Sequence, residues 1–209
     1  MYQLNFEVAK SFLEKDPIIS NLVQNLHSPD IKPSSMPILE ELVNAIIGQQ
    51  LSTASASAIK KKFFANIPQN MPLTSILMDM SEIDYKNSGI SNQKMNYLRS
   101  IGEYFSQNKT IGDDMHSMKD EEIISELTKI KGVGEWTVQM LLIFNLHRPD
   151  VFPINDLAIL QSGVKLLSLE ELTLKEQKNQ LMAYAENWAP HKTVASLYLW
   201  SWRDKKYVI

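Results

Sequence analysis

The residues best suited to chemistry in this sequence lie in one stretch, Leu127 to Asp156. A short turn, Lys131-Gly132-Val133-Gly134, separates two segments with helical patterns, and Asp156 follows later in the same stretch. Glycine tolerates positive φ and has no Cβ, so two glycines one residue apart let the chain reverse tightly. At the start of a helix, such a turn points backbone N–H groups outward and binds phosphate. Taken alone, however, the turn is more often an ordinary αα-corner capped by glycine.

Asp156 also has two interpretations. It follows Pro153-Ile154-Asn155 and precedes a segment with helical periodicity. An aspartate in that position is commonly an N-cap, whose side chain accepts a backbone N–H from the first helical turn. A chemical role requires evidence from elsewhere in the chain.

Composition excludes several classes of protein. The chain has 209 residues, enough for one sizeable domain or two lobes. It contains no cysteine, which excludes disulfides, thiolate zinc sites and cysteine-ligated iron–sulfur clusters. Its four histidines have no metal-ligand spacing. The N-terminus lacks the pattern of a signal peptide and no segment is apolar enough to span a bilayer, so a cytoplasmic location is expected.

The charge balance limits the choice of partner. A net charge of -3 argues against a strong non-specific DNA binder, which is usually basic. A protein that grips a few phosphates through backbone N–H groups and a local basic patch need not be basic overall. Lys60-Lys61-Lys62 and Lys205-Lys206 are candidate patches, although such runs are often solvated helix ends.

The elements that must position these residues are helices. Apolar residues recur in steps of three and four almost throughout, and no alternating run is long enough to predict a strand. The pattern predicts an all-α chain of about ten short helices separated by proline and glycine. Two clear apolar sets are Leu39, Leu42, Val43 and Ile46, and Ile123, Ile124, Leu127 and Ile130.

With these residues in view, the chain resembles the helix-hairpin-helix (HhH-GPD) DNA glycosylases, in the branch that includes 3-methyladenine DNA glycosylase II. The resemblance covers nearly the whole chain, and the hairpin with Asp156 is its most specific part. The stretches that carry it are Asp16-Pro17, Ile46-Ile47-Gly48-Gln49-Gln50-Leu51-Ser52, Gly89-Ile90-Ser91 with Lys94, the hairpin with Asp156, and Trp188-Ala189-Pro190 through Trp200.

The resemblance implies a fold. Residues 1–209 would form a single glycosylase unit of two helical lobes, with the hairpin at the cleft between them. One lobe would comprise residues from about 36 to 148, including the hairpin at 127–137. The other would combine residues from about 1 to 35 with 151–209.

It also implies roles in binding and catalysis. The amides of Gly132 and Gly134, with Lys131 beside them, would hold a DNA phosphate. The carbonyls of Thr128, Ile130 and Val133 would hold a structural Na⁺ or K⁺ when DNA is bound, and no cofactor would serve catalysis. Asp156 would stabilise positive charge on the deoxyribose and orient the attacking water.

The resemblance further implies a pocket for the damaged base, lined by Trp136, Trp200 and Met140. Bifunctional members of the family have a lysine where this chain has Trp136, and lysine forms a Schiff base that leads to strand cleavage. Tryptophan has no such amine, so a monofunctional enzyme is expected. An aromatic face also favours cationic alkylated purines. Trp136 could instead be a core residue, and Met140 and Lys192 replace a tyrosine and an arginine found in relatives.

A base-flipping enzyme must fill the hole that it leaves in the base stack. Gln49, Gln50 and Leu51 lie at a break between two predicted helices and are candidates for this wedge. The alternative is an ordinary polar turn. By the family pattern, Gln50 is the expected wedge residue.

Together these features predict a monofunctional glycosylase that hydrolyses the N-glycosidic bond of alkylated purines in duplex DNA and leaves an abasic site. Its partner would be damaged double-stranded DNA, with no membrane, and it would act as a monomer, at the nucleoid in a bacterium. Two alternatives stay open: a glycosylase for oxidised or deaminated bases, and a non-catalytic DNA-binding module.

Overall fold

The computed structural model describes residues 4–27, 31, 32, 34–68 and 70–208. Within this part of the chain there are thirteen α-helices, one 3-10 helix and no strand, so the predicted all-α fold is confirmed. No helix in these ranges is long and apolar enough to cross a membrane. Residues 1–3, 28–30 and 33 of the predicted N-terminal lobe segment lie outside the described residues.

The helices are short and follow one another closely. The first seven are α1 (Phe6–Leu13), α2 (Ser20–Asn25), α3 (Ile38–Gly48), α4 (Thr53–Ala65), α5 (Leu73–Asp79), α6 (Glu82–Asn87) and α7 (Asn92–Gln107). The others are α8 (Ile111–Asp114), α9 (Asp120–Leu127), α10 (Glu135–Phe144), α11 (Leu157–Leu166), α12 (Leu174–Ala185), the 3-10 helix Glu186–Trp188 and α13 (Lys192–Asp204).

The chain divides into two compact units. Unit 1 comprises Met1–Ser34 and Leu142–Ile209, and unit 2 comprises Ser35–Leu141. The second boundary therefore lies inside α10.

Unit 1 is organised around α13, which packs against α1, α2 and α11. Its core contains the fully buried Leu13, Trp188 and Tyr198. Asp16 ties the N-terminal segment to α12, because its carboxylate accepts hydrogen bonds from the Ile18 and Ile19 amides and from the Tyr184 hydroxyl. Asp16 is thus a structural residue.

Unit 2 is organised around α7, which packs against α3, α5 and α6. The approach of α7 to α5 is close at Gly102, where an added Cβ would lie 2.9 Å from the Leu77 side chain. The buried Tyr85 hydroxyl donates to the Leu77 carbonyl at 2.7 Å. Burial raises the pKa of Tyr85 to about 12.

Helix starts follow local chemistry. Ser52, Ser91 and Asp156 are N-caps whose side chains accept a backbone N–H, as their types predict. The helical spacing of Ile123, Ile124, Leu127 and Ile130 predicts a helix that reaches Ile130, but α9 ends three residues earlier, at Leu127. There the Thr128 hydroxyl donates to the Ile124 carbonyl, and the chain leaves the helical path.

Candidate functional site

The hairpin in unit 2 is the first part of the site. Helix α9 ends at Leu127, α10 begins at Glu135, and the turn between them is anchored by two buried side chains, Ile130 and Val133. The Val133 amide donates to the Ile130 carbonyl at 3.0 Å. The two buried side chains thus hold the turn between α9 and α10 in place.

The two glycines of the hairpin do different things. Gly132 has a φ of +94°, and a Cβ there would lie 2.2 Å from the Tyr97 ring, so both conformation and space demand glycine. Gly134 lacks positive φ, and a Cβ there would meet nothing within 4 Å. Its surface is open. Among the turn, loop and cap hydrogen bonds of the described residues, none joins the N–H of Gly132 or Gly134 to a backbone carbonyl.

These features suit an anion. The hairpin presents amide groups at the N-terminal end of α10, where the helix dipole is positive. The Lys131 side chain, next in the turn, is exposed. This half of the site can therefore hold a phosphate through backbone groups, with the exposed Lys131 ammonium group in the same turn.

The three carbonyls predicted to bind a cation fall within this turn, at Thr128, Ile130 and Val133. Carbonyl oxygens are suitable ligands for Na⁺ or K⁺, and a carbonyl has two lone pairs, so the hydrogen bond accepted by Ile130 leaves capacity. The donor set fits a hard monovalent ion. Cation binding there stays a prediction.

The wedge candidates lie at the turn between α3 and α4, also in unit 2. Gln50 is exposed and has a φ of +58°, an uncommon conformation for a residue with a side chain. Leu51 is 38% exposed. The side chain of Gln49, in contrast, is half-buried, and its amide donates to the Gly132 carbonyl at 3.3 Å.

Lys94 was not assigned a role from the sequence, although its stretch carried the family resemblance. In the structure its Nζ donates to the carbonyls of Ile47, at 2.7 Å, and Gln49, at 2.8 Å. Both carbonyls belong to the C-terminal end of α3 and its cap. The lysine three residues after the Ser91 cap was the only signal for this contact.

A surface depression adjoins the turn between α3 and α4, which contains Gln49, Gln50 and Leu51 and is called the wedge turn below. Its volume is about 600 Å³, and it is lined by residues of α3, the turn and α4 that include Leu51, Lys60 and Lys61 but no acidic side chain. Two ammonium groups beside a wedge candidate make this depression a second place where phosphate could bind.

Two of the predicted pocket residues lie on α10. Trp136 is 43% exposed on the first turn, and Met140 is half-buried one turn later. A spacing of four places them on the same side of the helix. Trp136 is therefore not a fully buried core residue.

The catalytic candidate lies in unit 1. Asp156 is the N-cap of α11, and its Oδ1 accepts the Ile159 amide at 2.9 Å. The same oxygen accepts the indole N–H of Trp200 at 3.0 Å. The carboxylate of Asp156 is thus held in place both by the first turn of α11 and by Trp200, a predicted pocket residue.

Phe144 is a site residue that the sequence analysis missed. Its ring stacks on that of Trp200 with a centroid distance of 5.9 Å and an interplanar angle of 27°, and it is 40% exposed. The exposed Leu157 follows Asp156 directly. The tryptophan that binds the Asp156 carboxylate thus stacks on a second exposed ring. The helical step from Met140 to Phe144 was the signal available in the sequence.

Lys192 supports the segment that leads to Asp156. Its Nζ lies 3.4 Å from Asp150 and 3.0 Å from Glu186, and its backbone amide donates to Asp150. Burial by itself would lower the pKa of Lys192, but the hydrogen bond to Glu186 and the charge of Asp150 raise it above its usual value. The next residue, Thr193, accepts the Val151 amide and donates to the Arg148 carbonyl.

Known DNA repair proteins are similar to this chain in sequence and in structure. The family model described as "HhH-GPD superfamily base excision DNA repair protein" matches residues 43–191. A DNA-3-methyladenine glycosylase 1 from Schizosaccharomyces pombe is 37% identical over 164 residues, which cover 77% of this chain and 70% of that protein.

Two solved structures are similar over almost the full chain. A 3-methyladenine DNA glycosylase from S. pombe in complex with abasic DNA matches with a TM-score of 0.78 and 30% identity, covering 97% of this chain and 99% of that one. A DNA-3-methyladenine glycosidase from Bacillus halodurans matches with a TM-score of 0.83 and 25% identity, covering 99% and 94%.

Proposed function

The chain belongs to the HhH-GPD superfamily of base excision DNA repair proteins, and on that basis we propose that it is a monofunctional DNA glycosylase that removes alkylated purines of the 3-methyladenine type from duplex DNA. Both similar structures and the similar curated protein carry 3-methyladenine glycosylase or glycosidase names. One of them holds abasic DNA, and an abasic site is what hydrolysis of a glycosidic bond leaves.

The observation that carries the chemistry is the single carboxylate of Asp156, fixed by the α11 N-terminus and the Trp200 indole. In the reaction the C1′–N bond breaks, and its electron pair leaves with the base. Water forms the new C1′–O bond and loses a proton. A cationic alkylpurine departs as a neutral base, and the positive charge that develops on the sugar is stabilised by the fixed carboxylate.

The aromatic side chains support the proposed preference for alkylated bases. A positively charged purine is attracted to the face of an aromatic ring. Trp136, Trp200 and Phe144 each present a partly exposed ring. Because an alkylated purine is already a good leaving group, the enzyme needs no general acid to protonate it.

The same residue set predicts that the DNA strand stays intact. Strand cleavage by a glycosylase requires an amine that attacks the sugar. By the family resemblance, Trp136 stands where bifunctional members have that lysine, and tryptophan has no nucleophilic nitrogen. The enzyme is a hydrolase without lyase activity.

The residues proposed to bind DNA lie in unit 2, in the hairpin and in the turn between α3 and α4. The amides of Gly132 and Gly134, with Lys131 and a bridging Na⁺ or K⁺, hold a phosphate, while Gln50 and Leu51 enter the space left by the extruded base. The protein works as a monomer on cellular DNA, which in a bacterium means the cytoplasm and nucleoid.

The test is incubation with methylated duplex DNA and with a panel of duplexes that carry single oxidised or deaminated bases. We expect free methylpurine, and strand breaks that appear only after alkali. Release from the oxidised or deaminated duplexes alone would support the other glycosylase class. Tight binding without any base release would show a DNA-binding module.

A further inference from the structure

The turn between α3 and α4 is held from one side by a single ammonium group. A helix C-terminus leaves carbonyls without intrahelical partners and carries negative partial charge. Lys94, from α7, donates to two such carbonyls, those of Ile47 and Gln49, at 2.7 and 2.8 Å. Burial lowers the pKa of Lys94. The Lys94 ammonium group is thus partly removed from water, and it donates two hydrogen bonds to this turn.

The turn contains a strained residue directly after the second of those carbonyls. Gln50 has a φ of +58°, a conformation that a non-glycine residue keeps only when its surroundings enforce it. Lys94 fixes the peptide that enters Gln50, and the Leu51 amide donates to the Gly48 carbonyl at 3.2 Å. The contact with Lys94 thus helps to hold the exposed Gln50 side chain in one direction.

A second contact joins this turn to the hairpin. The Gln49 side-chain amide donates to the carbonyl of Gly132, 83 positions away in the sequence. Gly132 is one of the two glycines proposed to hold the phosphate. The turn and the hairpin are therefore linked by a side chain whose polar end is already engaged.

We propose that Lys94 is a positioning residue that presets the wedge turn, and that Gln49 is a strut between this turn and the hairpin, which leaves Gln50 and Leu51 to enter the duplex. This inference rests on the proposed function. Gln49 and Gln50, although adjacent, then have different roles. Lys94 contributes to base extrusion without touching DNA. The wedge and the phosphate grip then act at a fixed separation.

The experiment uses a duplex with 2-aminopurine beside a target site, because unstacking of that base raises its fluorescence without any bond being broken. Single-turnover base release from methylated DNA is measured in parallel. Lys94→Met is compared with Lys94→Arg, which can still donate to both carbonyls, and with Lys109→Met on an exposed loop as the matched control. Thermal unfolding reports whether each variant is folded.

We expect Lys94→Met to bind undamaged duplex within about twofold of wild type but to lose most of the fluorescence rise and about tenfold in base release, the scale of one charged hydrogen bond. Lys94→Arg should recover much of both, and Lys109→Met should match wild type. A folded Lys94→Met protein with wild-type fluorescence and release would overturn the proposal.

The glutamines give a second arm that does not depend on Lys94 variants being folded. Gln50→Ala should abolish the fluorescence rise, whereas Gln49→Ala should only reduce it. The reverse order would overturn the strut assignment. If the wild-type protein raises the fluorescence but releases no methylpurine, the proposed function is refuted, while the positioning role of Lys94 stands.

Discussion

The hairpin with its wedge turn and the segment around Asp156 are held in place by different kinds of contact. The hairpin is held through its backbone, because its buried anchors lie within the turn, and the groups proposed to bind phosphate are peptide amides. Asp156 is a side-chain device, because its carboxylate is fixed partly by its own helix and partly by Trp200, 44 positions away. Binding should therefore be sensitive to backbone conformation, and catalysis to single side-chain atoms.

The largest effect should come from Asp156→Asn. Asparagine is as good an N-cap as aspartate and keeps an oxygen that can accept the Ile159 amide, so stability should hardly change. Removal of the negative charge should lower base release by about 100-fold or more, the usual scale for losing a fixed electrostatic group. Single-turnover release from methylated DNA, with DNA affinity measured alongside, is the check. Release near the wild-type rate would contradict the chemical role.

The next effect should come from Gly132→Ala. An alanine there would be strained at φ +94° and its Cβ would clash with the Tyr97 ring, so we expect a loss of about 1–3 kcal/mol in stability and weaker DNA binding. Thermal unfolding and a binding titration measure both. Gly134→Ala is the matched control, because its Cβ meets open space: stability should be kept while phosphate binding falls.

A double variant sharpens that prediction. Replacing Tyr97 by alanine removes the clash with a Cβ at position 132 but not the positive φ. Gly132→Ala should therefore cost less stability in a Tyr97→Ala background. Equal losses in both backgrounds would show that the φ alone, and not the tyrosine ring, requires glycine.

A smaller effect should come from Trp200→Phe. Phenylalanine keeps an aromatic ring against Phe144 and removes the N–H that binds Asp156, a charge-assisted bond of about 1.5–3 kcal/mol. Base release should fall about tenfold, with unchanged affinity for undamaged duplex. Trp202→Phe is the control, since its buried indole N–H has no hydrogen-bond partner among the described residues. Equal losses of release in both would refute the role of the indole bond.

The smallest effect should come from the basic depression beside the wedge turn. If Lys60 and Lys61 contact phosphates, the double change to glutamine should lower the slope of log affinity against log salt by about two, with affinity lost evenly across sequences. Lys205 and Lys206, changed in the same way, serve as the comparison in unit 1. An unchanged slope for Lys60 and Lys61 would remove them from the DNA contact.

Local features of this protein could be predicted from the sequence because they depend on neighbours along the chain. The helical periodicity, the Ser52, Ser91 and Asp156 caps and the reversal at Gly132 each follow from spacing or from one residue's own conformational limits. A local error is the end of α9, where Thr128 is the C-cap and not a residue of the helix interior.

The sequence by itself determined an all-α chain and its family, and it predicted the residues that would carry its chemistry, because periodicity, caps and motif residues are local properties. Only the tertiary structure decided that Trp200 donates to Oδ1 of Asp156 and that Tyr97 lies over Gly132. It also decided that Lys94 and Gln49 make the hydrogen bonds that hold the wedge turn. These contacts join residues far apart in the chain. Their distances depend on how helices pack, and no local pattern records that packing.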